Sequence, residues 1–314
     1  IDQVSFGSTR GAGPGFTEFQ KSYVSGSFDY DLGMIGAYDC ATLAYSGYLS
    51  DFNTIPYIDL DRSWWDQNAK ADLSIKDKLY FTAGDISLTY KLVTHCILFN
   101  KDLLKEYSEL RNPYELVRSN NWTYDTFGEE IRKVSEDLNA NDIPDRDDRF
   151  GLMFWNDPHM AVITSANEKI VSVNSKGELE LTLYTVRSEE VMSKYCSIIF
   201  DPVHAFSYQY QTASAEWNTL RDNIFNSNRA LYYMTTFVTI SRHRDMDTDF
   251  GILPYPKLNT SQETYNHTDT PFSTQFAALP KLIENEDRTG AVVEALAYYS
   301  RQYMTPAYYE RTLT

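Results

Sequence analysis

The feature that most constrains this chain is the alternation of short apolar runs with helical patterns along its length. The runs that read as β-strands are residues 30–35, 78–82, 94–100, 230–235, 250–254 and 275–279. Between them, apolar side chains recur at helical spacing. The stripes are Phe127, Ile131, Val134 and Leu138; Val292, Leu296, Tyr299 and Tyr303; and Trp217, Leu220 and Ile224. This alternation predicts α/β layers with largely parallel sheets. Thr123 or Asp125 can cap the first of these helices.

Length and charge limit what such a chain can be. Its 314 residues suffice for two lobes, since single hydrophobic cores stop growing at roughly 250 residues. No apolar run approaches the ~18 residues of a membrane-spanning helix. The net charge of −16, from 44 acidic and 28 basic residues, argues against nucleic-acid binding, which needs basic patches. It also argues against adsorption to an anionic membrane surface.

The cysteines and the first residue bear on processing and location. Cys40, Cys96 and Cys196 share no short spacing, so no zinc or redox motif is present. We expect them to be small buried hydrophobic side chains, and the sequence also allows a disulfide between two of them.

The chain begins with Ile1. We therefore expect a piece of a longer, exported protein, whose missing start carries the export signal and a lipoprotein anchor.

Several short motifs resemble catalytic signatures but lack the required context. The glycines of residues 11–15 are not followed by the Gly-Lys-Ser/Thr of a phosphate loop. The kinase-like tripeptides at residues 243–245 and 249–251 are separated by only three residues, which is too few for a kinase. With 44 carboxylates in the chain, the sequence does not single out the acid and base of a glycosidase.

Residues 137–148 have the spacing of a calcium loop. Such loops place oxygen ligands at alternate positions, a backbone carbonyl at the seventh and a carboxylate at the twelfth. The positions that fit are Asp137, Asn139, Asn141, Ile143 and Asp148. Asp142 stands where a glycine is expected, and Asp tolerates the required left-handed backbone less well than glycine. The sequence predicts either a structural calcium site or a polar turn closed by side-chain hydrogen bonds.

Ordered segments along nearly the whole chain resemble family 1 extracellular solute-binding proteins, the group that includes maltose-binding protein. The segments are residues 28–39, Gly-Tyr-Leu-Ser-Asp at 47–51, Trp-Trp-Asp at 64–66, Asp-Lys-Leu-Tyr at 77–80, Asn-Lys-Asp-Leu at 100–103, Trp-Thr-Tyr-Asp-Thr-Phe at 122–127 and Gly-Ile-Leu-Pro-Tyr-Pro at 251–256. Their order and spacing carry the resemblance. We expect Trp64 and Trp65 to serve packing.

The resemblance implies an α/β, two-lobed periplasmic-binding-protein type II fold, truncated at both ends. The first lobe would comprise residues 1–86 and 270–314 and would be incomplete, and the second lobe would comprise 87–269. Strands would cross between the lobes near residues 86–88 and near 270. The ligand would lie in the cleft between the lobes.

The resemblance also implies a function: capture of a sugar or oligosaccharide by the solute-binding component of an ABC importer, without chemistry. Aromatic rings stack on sugar faces, and planar polar groups bind hydroxyls. The matching positions are Tyr38, Asp39, Gly84, Asp85, Trp155, Asp157, His159, Thr236, Phe237, Ser273 and Thr274. The protein would be an extracellular monomer that needs no cofactor and delivers its ligand to a membrane permease. The alternatives are a carbohydrate-active enzyme with a carboxylate pair, and a sensor or peptide-binding protein of the same fold.

Overall fold

A computed structural model describes residues 13–210 and 213–312 as alternating helices and strands. The helices are α1 (Pro14–Ser25), α2 (Ala37–Tyr45), α3 (Gln67–Leu73), α4 (Thr89–Leu92), α5 (Lys101–Glu106), α6 (Pro113–Arg118), α7 (Tyr124–Ile131), α8 (Pro158–Ser165), α9 (Val186–Ile199), α10 (Trp217–Asn226), α11 (Glu286–Tyr299) and α12 (Thr305–Thr312). The strands are β1 (Gly33–Gly36), β2 (Phe81–Thr82), β3 (His95–Asn100), β4 (Ser135–Glu136), β5 (Arg149–Phe154), β6 (Val171–Val173), β7 (Leu179–Leu181), β8 (Ala205–Ser207), β9 (Ala230–Thr236), β10 (Phe250–Leu253) and β11 (Gln275–Ala278). None of the helices among these residues is both long and apolar enough to span a bilayer.

The described chain divides into two compact units. The first contains the residues up to Val93, residues 171–180 and those from Pro271 onward. The second contains residues 94–170 and 181–270. Residues 171–180, which fall within the predicted second lobe (87–269), belong to the first unit and contain most of the β6–β7 pair. There the N–H of Lys76 donates to the carbonyl of Gly177 at 3.1 Å.

The first unit is built on a small antiparallel sheet with the order β1-β11-β2. Successive side chains of a strand point to opposite faces. Ala277 accordingly packs in a core with Phe52, Trp65, Leu79 and Val293. Its neighbour Ala278 packs in a second core, which contains Phe19, Ile35, Cys40, Leu43 and Leu49. Both faces of the sheet are therefore covered.

The second unit is built on a larger sheet with the order β10-β3-β9-β5-β4, and β8 pairs with β5. Every residue of β3 and β9 is buried, which explains why these strands read as continuous apolar runs. Only the β5–β8 and β5–β9 pairs are parallel, and the other pairs of this sheet are antiparallel. The prediction of largely parallel sheets is wrong, because a run buried on both faces carries no signal of its partner's direction.

Two predicted helical stripes do not match the structure along their full length. Helix α7 is capped by Thr123, whose hydroxyl accepts from the N–H of Thr126 at 3.3 Å, and it ends at Ile131. The chain then enters β4, so Leu138 is exposed. Of the stripe predicted for α11, Val292 and Tyr299 are exposed and Leu296 is half-buried, while Tyr303 lies beyond the end of the helix and is exposed.

The buried face of α11 consists instead of Thr289, Gly290, Val293 and Ala297. A Cβ at Gly290 would lie only 1.8 Å from the backbone oxygen of Pro56. Close backbone approach requires small residues on the inner face of α11, and hydrophobicity alone therefore selects the wrong face.

The cysteines lie in separate surroundings, and all three are free thiols. Cys40 and Cys96 are buried, as predicted, and Cys196 is half-buried on α9. Burial raises the pKa of the Cys40 and Cys96 thiols above their usual range. A raised pKa keeps a thiol protonated, so both behave as inert core side chains.

Candidate functional site

Three strand ends meet at one edge of the small sheet in the first unit. β1 ends where β11 begins, since Gly36 pairs with Gln275. The N–H of Ala37 donates to the carbonyl of Thr274 at 3.2 Å. The predicted ligand residues Tyr38, Asp39, Ser273 and Thr274 are thereby brought together. We call this region, with Gly84 and Asp85, the first-unit edge.

The side chains of α2 at this edge have different surroundings. Tyr38 is 49% exposed, and its ring lies 5.7 Å from the ring of Phe272. Asp39 is buried, and its carboxylate accepts from the N–H of Gly13 at 3.1 Å. Tyr38 can therefore offer a ring to a ligand, whereas Asp39 binds the backbone of its own unit.

Gly84 reaches the same edge through strand β2. Thr82 pairs with Ala277 in an antiparallel register, so Gly84 follows toward the start of β11. A Cβ at Gly84 would lie 2.6 Å from the carbonyl oxygen of Trp64. The position therefore requires glycine for close packing.

Asp85 lies in a buried cluster of charged and polar groups. Its carboxylate is only 2% exposed and pairs with Lys91. It also accepts from the hydroxyl of Thr305 at 2.7 Å and from the guanidinium of Arg301 at 3.2 Å. These bonds use both carboxylate oxygens within the first unit. They give Asp85 a structural role, and its predicted ligand contact stays a prediction.

The two tryptophans expected to serve packing do so. Trp65 is buried at 2% exposure in the first-unit core. The indole N–H groups of Trp64 and Trp65 each donate to a different carboxylate oxygen of Glu294, both at 3.0 Å. Glu294 thereby holds the segment against which Gly84 packs.

A second set of strand ends meets at one edge of the larger sheet. β5, β8 and β9 run parallel and end at Phe154, Ser207 and Thr236. β3 runs the opposite way and begins beside them, with His95 paired to Thr236. The predicted residues Trp155, Asp157, Thr236 and Phe237 therefore come together. We call this region, with Asn156 and Ser207, the second-unit edge.

The predicted residues at the second-unit edge differ in how they are held. Thr236 is buried, while Trp155 and Phe237 are half-buried. The N–H of Phe237 donates to the carbonyl of Thr94 at 3.1 Å. Asp157 accepts from the hydroxyl of Thr270 at 3.4 Å. The rings of Trp155 and Phe237 are thus the larger apolar groups that this edge can present.

His159 is turned into the interior of the second unit. Its Nδ1 lies 2.8 Å from the hydroxyl of Tyr195, and its ring packs near those of Phe154 and Tyr195. Burial lowers the pKa of His159. Its polar contact is therefore with the core, and its predicted role as a ligand contact stays a prediction.

Sequence reasoning missed two polar residues at the second-unit edge. Asn156 directly follows Trp155, and Ser207 lies opposite Phe154 in the parallel register. The side-chain atoms Trp155 Nε1, Asn156 Oδ1 and Ser207 Oγ are buried without a hydrogen-bond partner among the described residues. Asn156 lies just after an apolar strand, and that position could have indicated it as a candidate ligand contact. Ser207 required the pairing of β8 with β5, which the sequence does not reveal.

The predicted calcium loop folds as a hydrogen-bonded turn. The Asp137 carboxylate accepts from the N–H groups of Asn141 and Asp142 at 3.3 and 2.8 Å. That of Asp148 accepts from the N–H groups of Leu138 and Asp145 at 3.1 and 2.9 Å. Asp142 adopts the left-handed backbone expected of the sixth position, with φ of 59°.

Side-chain amides and a backbone N–H of the same loop also donate hydrogen bonds to acceptors within the loop. The side-chain amides of Asn139 and Asn141 donate to Asp145 at 3.3 and 2.9 Å, and the N–H of Ile143 donates to Asn141 Oδ1 at 2.8 Å. Across residues 13–210 and 213–312, no three His, Cys, Asp or Glu side chains are grouped closely enough to hold a metal ion. These hydrogen bonds close the turn, as the alternative interpretation predicted, and the calcium site stays a prediction.

Comparisons with known proteins identify the fold. No family model and no curated relative matches the sequence. Among solved structures, the GacH receptor of Streptomyces glaucescens, studied with acarbose, matches at 16% identity with a TM-score of 0.57 and covers 90% of this chain and 64% of its own. An ABC substrate-binding protein from Listeria monocytogenes in complex with cycloalternan matches at 14% identity with a TM-score of 0.56, covering 91% and 64%. UgpB from Mycobacterium tuberculosis in complex with glycerophosphocholine matches at 13% identity with a TM-score of 0.56, covering 90% and 63%.

These likenesses confirm the predicted fold class. The chain has the α/β fold of the two-lobed, maltose-binding-protein-like solute-binding proteins. It spans just under two thirds of the length of the three structures compared.

Proposed function

We propose that this chain is the solute-binding component of an ABC importer and binds a sugar or oligosaccharide without changing it. The observation that carries the proposal is that each unit presents aromatic rings at its own strand-end edge, Tyr38 in the first unit and Trp155 and Phe237 in the second, in a fold shared with ABC substrate-binding proteins. Aromatic rings stack on the apolar faces of sugars, and neighbouring polar groups bind the hydroxyls.

The compared structures support a small polar ligand. The GacH receptor was studied with acarbose and the Listeria protein with cycloalternan. UgpB binds glycerophosphocholine, which makes a phosphodiester the second candidate. A sugar is favoured for this chain, because the groups described at the two edges include the rings of Tyr38, Trp155 and Phe237.

Binding without catalysis is the better interpretation of the carboxylates at the edges. A glycosidase needs two carboxylates free to act as acid and as base or nucleophile. Asp39 accepts from the N–H of Gly13, and Asp85 is engaged by Lys91, Arg301 and Thr305. Asp157, the carboxylate of the second-unit edge, accepts from the hydroxyl of Thr270. The hydrogen bonds of these three carboxylates favour a binding protein over the carbohydrate-active alternative.

The remaining parts of the proposal follow from this role. The protein would act outside the cell as a monomer, deliver its ligand to a membrane permease and need no cofactor. These statements depend on the proposed importer role.

A thermal-shift screen tests the proposal with maltotriose, glycerophosphocholine and a mixture of short peptides. A ligand that binds only the folded state stabilises it by RT ln(1 + [L]/Kd), about 2.7 kcal/mol at a concentration of 100 Kd. We expect a concentration-dependent rise in Tm with maltotriose. A rise with peptides alone would contradict the sugar assignment.

A matched pair of variants separates specific binding from general effects of sugar on stability. Tyr38→Ala removes the ring at the first-unit edge, and Tyr45→Ala removes a 94% exposed ring from the far end of the same helix. We expect Tyr38→Ala to weaken the ligand-induced rise and Tyr45→Ala to leave it unchanged. Equal effects of both variants would exclude a role for this edge.

A further inference from the structure

The second unit has a surface pocket that contains none of the ligand residues implied by the resemblance. Its volume is about 350 Å³, which lies within the range of small-molecule sites. Every residue that lines it is polar, and the six are Asn167, Arg187, Ser261, Gln262, Glu263 and Thr264. The pocket therefore offers hydrogen bonds and charges to a ligand, without an apolar residue in its lining.

Helix α8 leads from the second-unit edge to this pocket. The helix begins at Pro158, directly after Asp157 of that edge, and Asn167 lies just beyond its last residue, Ser165. Eight residues of α-helix span about 12 Å. All six lining residues belong to the second unit. The pocket is therefore a separate place in this unit.

Gln262 forms a fixed floor for the pocket. It is buried, and its side-chain amide donates to the carbonyls of Ser165 and Thr264 at 2.7 and 2.8 Å. Its own carbonyl accepts from the buried ammonium group of Lys257 at 2.7 Å. These bonds hold residues 261–264 in one arrangement, and a preorganised site loses less entropy when a ligand binds.

Arg187 is oriented by its neighbours and keeps part of its guanidinium group available. Its Nη2 donates to the carbonyl of Ala166 at 2.7 Å, and its Nε pairs with Glu168 at 3.2 Å. Its Nη1 has no hydrogen-bond partner among the described residues, and the side chain is 39% exposed. A guanidinium group that is fixed on one side and open on the other can donate to a ligand carboxylate.

Glu263 supplies the opposite charge at the same pocket. Its side chain is exposed, and its carboxylate forms no ion pair or hydrogen bond with the residues that the structure describes. A simple anion would be repelled by Glu263, and a simple cation would be repelled by Arg187. A small molecule that carries both charges is therefore the best match to this pair.

We propose that this pocket is a second binding site that takes a small zwitterion, an α-amino acid such as glycine. Its carboxylate accepts from Nη1 of Arg187, and its ammonium group donates to Glu263. Small or polar amino acids are favoured, because an apolar side chain would meet no apolar residue in the lining. The site goes beyond the proposed sugar binding and adds a second class of ligand.

Calorimetric titration of the whole chain with glycine tests the proposal. Acetate and methylamine, titrated at the same ionic strength, carry the two charges of glycine on separate molecules. We expect saturable binding of glycine and at least about tenfold weaker binding of acetate and methylamine, since each makes only one of the two charged contacts. The proposal is wrong if glycine does not bind saturably, or if acetate or methylamine binds as tightly as glycine.

A pair of glutamate variants locates the glycine site. Glu263→Gln removes the anionic contact at an exposed position, where the fold does not depend on it. Glu109→Gln is the matched control, because Glu109 is also an exposed carboxylate of the second unit but does not line the pocket. We expect Glu263→Gln to weaken glycine binding about tenfold and Glu109→Gln to leave it unchanged. Equal affinities of the two variants for glycine would overturn the assignment to this pocket.

Titration with maltotriose separates this inference from the proposed function. We expect saturating glycine and the Glu263→Gln substitution each to leave the affinity for maltotriose unchanged. Competition between glycine and maltotriose would show that they share a site, and the second site would then be wrong. A protein that binds glycine in this pocket but binds no sugar would contradict the proposed function and support the inference.

Discussion

Asp85 has a structural role that the sequence did not predict. The resemblance to solute-binding proteins placed it among the ligand contacts. In the structure its carboxylate is 2% exposed and is held by Lys91, Arg301 and Thr305. A buried carboxylate with this many partners links α4 to the C-terminal helical segment of the first unit.

Replacing Asp85 with alanine tests its structural role. Removing one partner of a buried ion pair leaves an uncompensated charge, here on Lys91, and typically costs about 3 kcal/mol or more. We expect Asp85→Ala to lower the free energy of unfolding by about that amount in urea denaturation without ligand. Asp59→Ala removes an exposed pair with Arg62 and should change it by less than about 1 kcal/mol. Equal stabilities of the two variants would contradict the structural role.

Two buried histidines make the stability depend on pH. Burial lowers the pKa of His95 and His243 from 6.5 to about 4. Around His243, Asp222 favours the charged ring, and Arg221 and Arg242 oppose it, but burial has the largest effect. Both rings are therefore neutral in the folded protein and must not be protonated if the fold is to keep its full stability.

The sign of this dependence follows from proton binding. In the unfolded chain a histidine binds its proton at a pKa of about 6.5. Because the folded pKa is lower, stability is full above about pH 6.5 and is lost as the pH falls toward about 4. The loss is about 2 kcal/mol per histidine between about pH 7.5 and about pH 5. Urea denaturation at both pH values measures this loss, and His243→Gln should reduce it by about 2 kcal/mol. Equal stability at both pH values would contradict the burial of these rings as neutral groups.

Secondary-structure elements show which predictions the sequence supported and which it could not. The strand runs at residues 94–100, 230–235 and 275–279 were located closely, because continuous apolar residues mark buried strands. The directions of the first two of these strands, β3 and β9, could not be predicted, because both of their faces are buried. Helix α11 was located, but its inner face was assigned wrongly because a close backbone contact at Gly290 outweighs side-chain hydrophobicity.

Replacement of glycine by alanine is expected to have opposite effects on stability in helices α1 and α11. Alanine is a better helix former than glycine by about 1 kcal/mol. At Gly15 in α1 a Cβ would meet nothing within 4 Å, so Gly15→Ala should stabilise by up to about 1 kcal/mol. At Gly290 a Cβ would lie 1.8 Å from the Pro56 oxygen, and Gly290→Ala should destabilise by about 2 kcal/mol or more. Thermal unfolding of both variants decides the matter, and stabilisation by Gly290→Ala would show that α11 does not pack as described.

At the scale of the whole molecule, the fold was predictable because ordered segments along nearly the whole chain resembled one family. The residues of the candidate site stay predictions, and sequence position alone could locate only some of the residues at the two edges. Tyr38 and Trp155 follow apolar strands and could be found from that position. Ser207 and Asn156 could not be paired without the register of β8 on β5. The hydrogen bond of His159 to Tyr195 could not be found either, because a histidine after a strand and one bonded inside a core look alike in sequence.

Calorimetric titration of the wild-type protein with maltotriose, followed by recovery and analysis of the sugar, tests the central claim most directly. The account predicts a saturable heat of binding with one site per chain and the recovery of intact maltotriose. The absence of any binding heat with sugars, or the recovery of shortened sugar, would contradict a solute-binding protein that captures sugar without chemistry.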